Sequence, residues 1–271
     1  MNALEGKMVD ALVDLRENHH VIGVKAEFEA EGTRLEEALR LKEVVTAAGL
    51  GMTLKIGGCE GLRDMYEARV IGVDRMVAPM VESPYALTKF LKAVRMAFPA
   101  DEREHVQMCV NIETVTGVAN FDAMLALGDI DELDGIVLGR TDMCGSLGLT
   151  PDDINEPQVL DIARSLFVKA KTRSLDCGMG GGVSAHTLPF LRALVPGTLD
   201  RFETRKVIFR CPEAFGDGAE AGILKAVGFE LMWLKNKRSF YSAISEEDNL
   251  RIHVLESRYK HSIEEAGGTY E

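Results

Sequence analysis

The sequence predicts an α/β fold: a (β/α)₈ barrel of the TIM type, followed by a C-terminal helical extension. Short apolar runs alternate with helical stretches, which is typical of a parallel sheet covered by helices. The runs are almost continuously apolar, as expected for strands buried on both faces. Charged residues cluster where the runs end, and barrel active sites are built there. Charges from five or six strands on one rim favour a barrel over a doubly wound open sheet, which would spread them along a line.

Seven strand-like runs can be counted, one fewer than a closed barrel needs. The predicted strands cover residues 20–29, 52–58, 75–83, 105–114, 135–142, 175–182 and 203–209. Helices are predicted at residues 33–49, 60–71, 84–98 and 119–127, with two more in the tail at about 213–264. Ser83 is expected to cap the helix that starts at Pro84, because proline suits a first helical position. One domain is therefore predicted, with a barrel over residues 1–211 and C-terminal helices over 212–271.

Composition excludes several classes of protein. The 271 residues carry a formal net charge of −12, which argues against nucleic acid or an anionic membrane as the main partner. No apolar run approaches the roughly 20 residues of a membrane span. The first twenty residues carry charges throughout and lack the apolar core of a signal peptide. Five scattered cysteines without metal-type spacing indicate a reduced, cytoplasmic protein.

The strand ends supply the candidate site residues. They are Lys25, Glu27, Glu29, Lys55, Glu82, Asn111, Glu113, Arg140, Asp142 and Arg205. Side chains two apart on a strand share a face, so Asn111 is expected beside Glu113, and Arg140 beside Asp142. The glycine-rich segment 177–187 follows a late strand, where barrel loops often hold phosphate on backbone N–H groups.

Three blocks carry a family resemblance. "MVAPMVESPYAL", "VNIETVTGVANFDAML" and "DGIVLGRTDMCGSLGL", in this order, resemble the HpcH/HpaI aldolase and citrate lyase β-chain superfamily of phosphoenolpyruvate/pyruvate-type barrels. The resemblance implies that Glu113 and Asp142 bind a divalent metal. Two carboxylates suit Mg²⁺ or Mn²⁺, with Co²⁺ less favoured. It also implies a small anionic 2-oxo acid substrate such as pyruvate, whose enolate the metal stabilises.

The chain departs from these aldolases on its first two strands. Lys55 stands where they carry an arginine, which keeps the positive charge but loses the bidentate fork. Phe28 stands where they carry the catalytic histidine. Glu27 or Glu29 is therefore the candidate base, with Lys25 on the same face, although these three could instead form a structural ion-pair ladder in the barrel mouth.

Further departures concern the charge of the site. Arg140 replaces a small residue or proline, and together with Lys25, Lys55 and Arg205 it predicts a more cationic pocket and a substrate with an additional carboxylate or phosphate. Arg140 could alternatively pair with Asp142. Glu82 aligns with the acidic partner of the missing histidine and could hydrogen-bond a lysine instead. Residues predicted to bind substrate are Lys25, Gly57, Glu82, Arg205 and Gly181, and those predicted to act in catalysis are Lys55, Glu27, Glu29 and Arg140.

These features predict a metal-dependent carbon–carbon lyase or synthase that acts through a 2-oxo acid enolate. A phosphoenolpyruvate-using synthase, or a lyase of citrate or malyl type, is the alternative within enzymes. A barrel that has lost catalysis and binds an anionic metabolite is the alternative outside them. The resemblance also implies a homo-oligomer, because a C-terminal helical segment of the aldolases packs on a neighbouring subunit.

Overall fold

The chain folds as a closed barrel of eight strands. The computed structural model describes residues 1–269. The strands are β1 Val21–Glu27, β2 Gly51–Lys55, β3 Arg75–Ala78, β4 Gln107–Asn111, β5 Gly135–Gly139, β6 Asp176–Gly180, β7 Arg201–Glu203 and β8 Val207–Arg210. Each strand pairs with the next in sequence, and β8 returns to pair with β1. The predicted barrel is thus confirmed, with one strand more than the seven counted.

The strand missing from the count is β7, because the last predicted run, 203–209, covers most of β8 but reaches β7 only at Glu203. Strands β1 to β7 pair in parallel, whereas β8 runs antiparallel to both β7 and β1. The turn between β7 and β8 is closed by Thr204, whose hydroxyl accepts the Val207 N–H at 3.1 Å and whose N–H donates to the Val207 carbonyl at 2.9 Å. So short a connection cannot contain a crossover helix and forces an antiparallel neighbour.

The helices follow the predicted alternation. They are α1 Ala3–His19, α2 Leu35–Ala47, α3 Leu62–Ile71, α4 Pro84–Ala97, α5 Ala100–Arg103, α6 Val115–Ala119, α7 Phe121–Leu125, α8 Arg140–Ser146, α9 Pro157–Lys171, α10 Leu188–Arg192 and α11 Ala219–Glu265. Short 3₁₀ turns lie at Ile130–Glu132, Pro151–Asp153, Ala185–Thr187 and Glu213–Phe215. Ser83 caps α4 as predicted, accepting the Ala86 N–H at 3.1 Å. The two helices predicted in the tail are wrong, because α11 runs through that segment without a break.

The core lies inside the barrel and beneath its helices. Val77, Cys109 and Val137, on three neighbouring strands, form a buried cluster. The N-terminal helix α1 buries Met8, Leu12 and Leu15 and packs against β1 and α2. These layers fix the strands whose carboxyl ends carry the polar side chains.

The chain divides into two units, Met1–Glu230 and Leu231–Glu271. The first unit contains the barrel and the start of α11, and the second contains the remainder of α11. Within the described residues 1–269, no helix combines the length and apolar character needed to cross a membrane.

Candidate functional site

A cavity of about 460 Å³ opens at the carboxyl ends of the parallel strands, within the first unit. Nine of the candidate site residues line it: Lys25, Glu27, Glu29, Lys55, Asn111, Glu113, Asp142, Gly181 and Arg205. They lie on or just after several different strands, because the parallel strands of a closed barrel bring their carboxyl ends to one rim. The structure thus brings these side chains together at one cavity.

Glu113 is the most constrained carboxylate of the cavity. It directly follows β4, where its Oε2 accepts the Asn111 side-chain N–H at 2.7 Å and its Oε1 accepts the Met80 backbone N–H at 3.0 Å. The carboxylate packs against Gly139, where a Cβ atom would collide with it. Burial, reinforced by the nearby Asp142 carboxylate, raises the pKa of Glu113 to about 7 against the opposing effect of Lys55.

Asp142 reaches the same cavity from the first turn of α8. This helix begins at Arg140, directly after β5, so its first turn lies at the carboxyl end of the barrel. Asp142 is exposed and has no ion-pair partner among residues 1–269. The described part of the chain holds no group of three or more His, Cys, Asp or Glu side chains placed to bind a metal ion. Glu113 and Asp142 are two of the carboxylates that line the cavity.

Lys55 lies between two carboxylates of the cavity, those of Glu29 and Glu113. Its Nζ is 2.8 Å from Glu29 Oε2 and 3.9 Å from Glu113 Oε1. Burial would lower the pKa of Lys55, but Glu113 and the contact with Glu29 outweigh burial and raise it. Lys55 is therefore a permanent cation facing the cavity at neutral pH.

Lys25 is the centre of a second cluster, formed by Lys25, Glu27 and Glu203. Lys25 Nζ lies 2.8 Å from Glu27 Oε1 and 2.5 Å from Glu203 Oε1. Burial would lower the pKa of Lys25, but the two carboxylates outweigh burial and raise it, while the pairing lowers the pKa of Glu27. Lys25 and Glu27 thus form part of the ion-pair ladder that was the alternative to catalysis.

Arg140 lies outside the cavity, contrary to the prediction of a catalytic cation. It is fully buried, and its guanidinium donates to the Gly181 carbonyl at 2.7 Å and to the Asn155 side-chain oxygen at 2.7 Å. Phe190 covers it, with the guanidinium carbon 5.1 Å from the ring centroid. Burial lowers the pKa of Arg140 to about 10. The Arg140 side chain therefore hydrogen-bonds to the loop after β6 and does not pair with Asp142 among residues 1–269.

Two predicted substrate contacts also lie outside the cavity lining. Glu82 accepts a hydrogen bond from the Thr114 hydroxyl at 2.5 Å, where a lysine partner was expected. The Gly57 N–H donates to Asp64 Oδ2 at 2.6 Å, so its backbone serves a turn.

Arg205 and Gly181 line the cavity but have partners of their own. Arg205 is half exposed, with its Nε 3.3 Å from Glu31 Oε1. Gly181 adopts a φ of +82° and passes close to the backbone N–H groups of Arg140 and Thr141, so a side chain there would be strained and obstructed. The glycine-rich segment is thus a tight loop against α8.

Sequence reasoning missed Glu203 and Glu230 as cavity residues. Glu203 lies at the end of β7, and Glu230 extends into the cavity from α11. Glu203 ends β7, a strand of three residues that the sequence count missed, so its position at a strand end was not recognised. The tail carried no comparable signal for Glu230.

A barrel with carboxylates and lysines gathered at the carboxyl ends of its strands has the layout of a barrel enzyme. Residues 59–180 match the sequence profile of the family described as HpcH/HpaI aldolase/citrate lyase, so this segment is similar to that family. The 5-keto-4-deoxy-D-glucarate aldolases of Salmonella paratyphi C and Citrobacter koseri are each 29% identical over 92 residues, 34% of this chain and 34% of theirs. The match thus spans about a third of the length of these relatives.

Solved structures share the fold at low identity. The HpcH/HpaI aldolase of Desulfitobacterium hafniense DCB-2 has a TM-score of 0.58 and 14% identity, over 83% of this chain and 88% of that one. A HpcH/HpaI aldolase/citrate lyase family protein of Burkholderia cenocepacia J2315 has a TM-score of 0.57 and 15% identity, over 90% and 91%. The citrate synthase SbnG has a TM-score of 0.55 and 16% identity, over 86% and 90%. At these identities the likeness concerns the fold.

Proposed function

We propose that this chain is a divalent-metal-dependent carbon–carbon lyase, an aldolase or synthase that acts through the enolate of pyruvate or a related 2-oxo acid. The observation that carries the proposal is the meeting of Glu113, Asp142 and Lys55 in one cavity at the carboxyl ends of the strands. The match of residues 59–180 to the HpcH/HpaI aldolase/citrate lyase family supports it. The aldolase names of the curated relatives, which specify a keto acid, support a small anionic 2-oxo acid as substrate.

Glu113 and Asp142 fit a divalent metal ion by the chemistry of their donor atoms. Both offer carboxylate oxygens, the ligands that Mg²⁺ and Mn²⁺ prefer, and Co²⁺ is less favoured. The Asp142 carboxylate helps to raise the pKa of Glu113, a repulsion that a cation would relieve. When bound, such an ion acts as a Lewis acid toward a keto oxygen. Two protein ligands leave coordination positions for the substrate.

The side chains of this cavity have different roles in the proposed reaction. A carboxylate removes a proton from C3 of pyruvate, and the electron pair moves onto the keto oxygen. Lys55, a cation in the cavity, stabilises the charge that develops there. C3 attacks the aldehyde carbon to form the new bond, and the aldehyde oxygen takes up a proton. The reverse sequence breaks that bond.

The proton-transfer residue must differ from the histidine of the resembling aldolases, because Phe28 occupies its place. We assign the role to Glu29, whose Oε2 lies 2.8 Å from Lys55 Nζ and whose side chain is 31% exposed. Glu27 is the alternative base, but its carboxylate is more deeply buried and paired with Lys25. Comparing Glu29→Gln with Glu27→Gln in the assay below distinguishes the two.

The test is exchange of the C3 protons of pyruvate in D₂O, followed by NMR. With Mg²⁺ or Mn²⁺ we expect exchange that EDTA abolishes. The Glu113→Gln variant should lose it by roughly 100-fold, since it removes a ligand at the reacting charge. Glu17→Gln is the matched control, because Glu17 is exposed on α1 and pairs with Arg16, far from the cavity lining.

Two other outcomes of the exchange assay would contradict the proposal. Absence of exchange while metal still binds would contradict the pyruvate enolate and direct attention to phosphoenolpyruvate chemistry or to a binding role. Metal-independent exchange that survives Glu113→Gln would show that Glu113 and Asp142 do not hold a required ion.

A further inference from the structure

The charges of the cavity are unequal. Six carboxylates line it, from Glu27, Glu29, Glu113, Asp142, Glu203 and Glu230, against three cations, from Lys25, Lys55 and Arg205. The sequence predicted a pocket more cationic than usual, but Arg140 lies outside it. The cavity therefore carries an excess of negative charge before any metal or substrate enters.

Each of the lining cations already faces a carboxylate. Lys25 lies between Glu27 and Glu203, at 2.8 and 2.5 Å. Lys55 lies beside Glu29 at 2.8 Å, and Arg205 beside Glu31 at 3.3 Å. None of the three is left uncompensated to attract a second anionic group of a substrate, and an anion beside the Lys25 cluster would meet an excess of carboxylate.

Some hydrogen-bond acceptors of the cavity, in contrast, have no donor among residues 1–269. Asn111 is 5% exposed, and its side-chain oxygen has no hydrogen-bond partner although its N–H group donates to Glu113. Glu230 has no ion-pair partner among residues 1–269 and lies half-buried on the cavity wall. A buried acceptor without a donor is costly, so a bound ligand is expected to supply donors.

We infer that the second substrate of this site is an uncharged, hydroxylated aldehyde, rather than one with an additional carboxylate or phosphate. Its hydroxyl groups donate to Asn111, Glu203 and Glu230, and its lack of a second anion avoids the repulsion described above. This inference rests on the proposed function, since the aldehyde is the partner of the pyruvate enolate. It names the acceptor class that the proposed function leaves open.

The test compares three aldehydes in aldol addition to pyruvate with this chain and Mg²⁺. D-Glyceraldehyde and tartronate semialdehyde differ only in a CH₂OH group in place of a carboxylate, and glyceraldehyde 3-phosphate adds a phosphate. We expect kcat/KM for glyceraldehyde to exceed that for each anion by about tenfold or more. Equal use of the three, a preference for either anion, or turnover of none while pyruvate exchange proceeds would overturn the inference.

A charge-reversal variant tests the physical cause. Glu230→Lys should shift the ratio of kcat/KM values toward tartronate semialdehyde by about tenfold, because it replaces a repelling charge with an attracting one. Glu220→Lys is the matched control on the same helix, exposed and outside the cavity lining, and should leave the ratio unchanged. An unchanged ratio in Glu230→Lys would contradict the electrostatic explanation.

The two proposals fail separately. Pyruvate C3 exchange requires no aldehyde, so exchange with a preference for anionic aldehydes refutes only the acceptor class. Loss of exchange in the unaltered protein refutes the proposed function and the acceptor class with it.

Discussion

Lys55 is the residue on which the proposed chemistry most directly depends. It supplies a cation beside both Glu29 and Glu113. We expect Lys55→Met to reduce pyruvate proton exchange by roughly 10²- to 10³-fold, because it removes the charge that opposes the developing oxyanion. Lys55→Arg should retain much of the exchange, since the resembling aldolases carry arginine at this position. Equal losses in the two variants, measured with metal saturating, would contradict a role based on charge.

For Arg140, in contrast to Lys55, we predict a structural role. Its guanidinium donates to the Gly181 carbonyl and to Asn155, and it is fully buried. Arg140→Met should lower the free energy of unfolding by about 2–4 kcal/mol, because the carbonyls of the loop lose their donors. Arg63→Met, at a side chain 89% exposed, should change it by less than about 0.5 kcal/mol. Urea denaturation checks both, and an Arg140→Met protein as stable as the control would refute the role.

At this scale the sequence predicted Glu113, Asp142 and Lys55 correctly as cavity residues, since position at a strand end determines where such side chains lie. It misplaced Arg140 because its partners, Asn155 and Gly181, come from loops 15 and 41 residues further along the chain. No local pattern reports such long-range contacts. The excess of carboxylates in the cavity was not foreseen, because Arg140 lies outside it and Glu203 and Glu230 were not recognised as lining residues.

Among the elements, the hairpin of β7 and β8 is what closes the barrel. Phe209 on β8 stacks on Phe202 of β7, with ring centroids 4.8 Å apart, and is buried. Phe209→Ala should lower the free energy of unfolding by about 3–5 kcal/mol, because it leaves a cavity at the closing seam. The control Tyr85→Ala, at a side chain 73% exposed on α4, should cost less than about 0.5 kcal/mol. A Phe209→Ala cost near that of the control would argue against closure by this strand.

Alternation of apolar runs and helices was sufficient to predict β1 to β6, because each is separated from the next by a helix or a long loop. Strand β7 was missed because it has three residues and because the turn after it, Thr204 to Lys206, carries neither glycine nor proline to mark the end of a strand. Its turn is made by the Thr204 hydroxyl instead. Helix periodicity likewise predicted that the tail is helical, but it did not predict that α11 is one continuous helix.

For the molecule as a whole, the second unit raises the question of assembly. Taken by itself, its part of α11 exposes large apolar side chains, among them Leu250, Leu255 and Tyr259, at 71%, 61% and 62%. Ile252, Leu255 and Tyr259 are spaced three and four residues apart and so share one helix face. An isolated helix that buries no such face is marginal in water, so a covering surface is expected.

We predict that this surface is another copy of the chain and that the protein is a homo-oligomer, as the family resemblance implies. Leu255→Glu should weaken assembly by about tenfold or more, because it places a carboxylate on the apolar face. Ser257→Glu introduces the same residue on the opposite face and should leave the molar mass unchanged. Light scattering across a dilution series measures both. A protein that is monomeric at micromolar concentration, or an oligomer indifferent to Leu255→Glu, would show that this face of α11 is not where the copies meet.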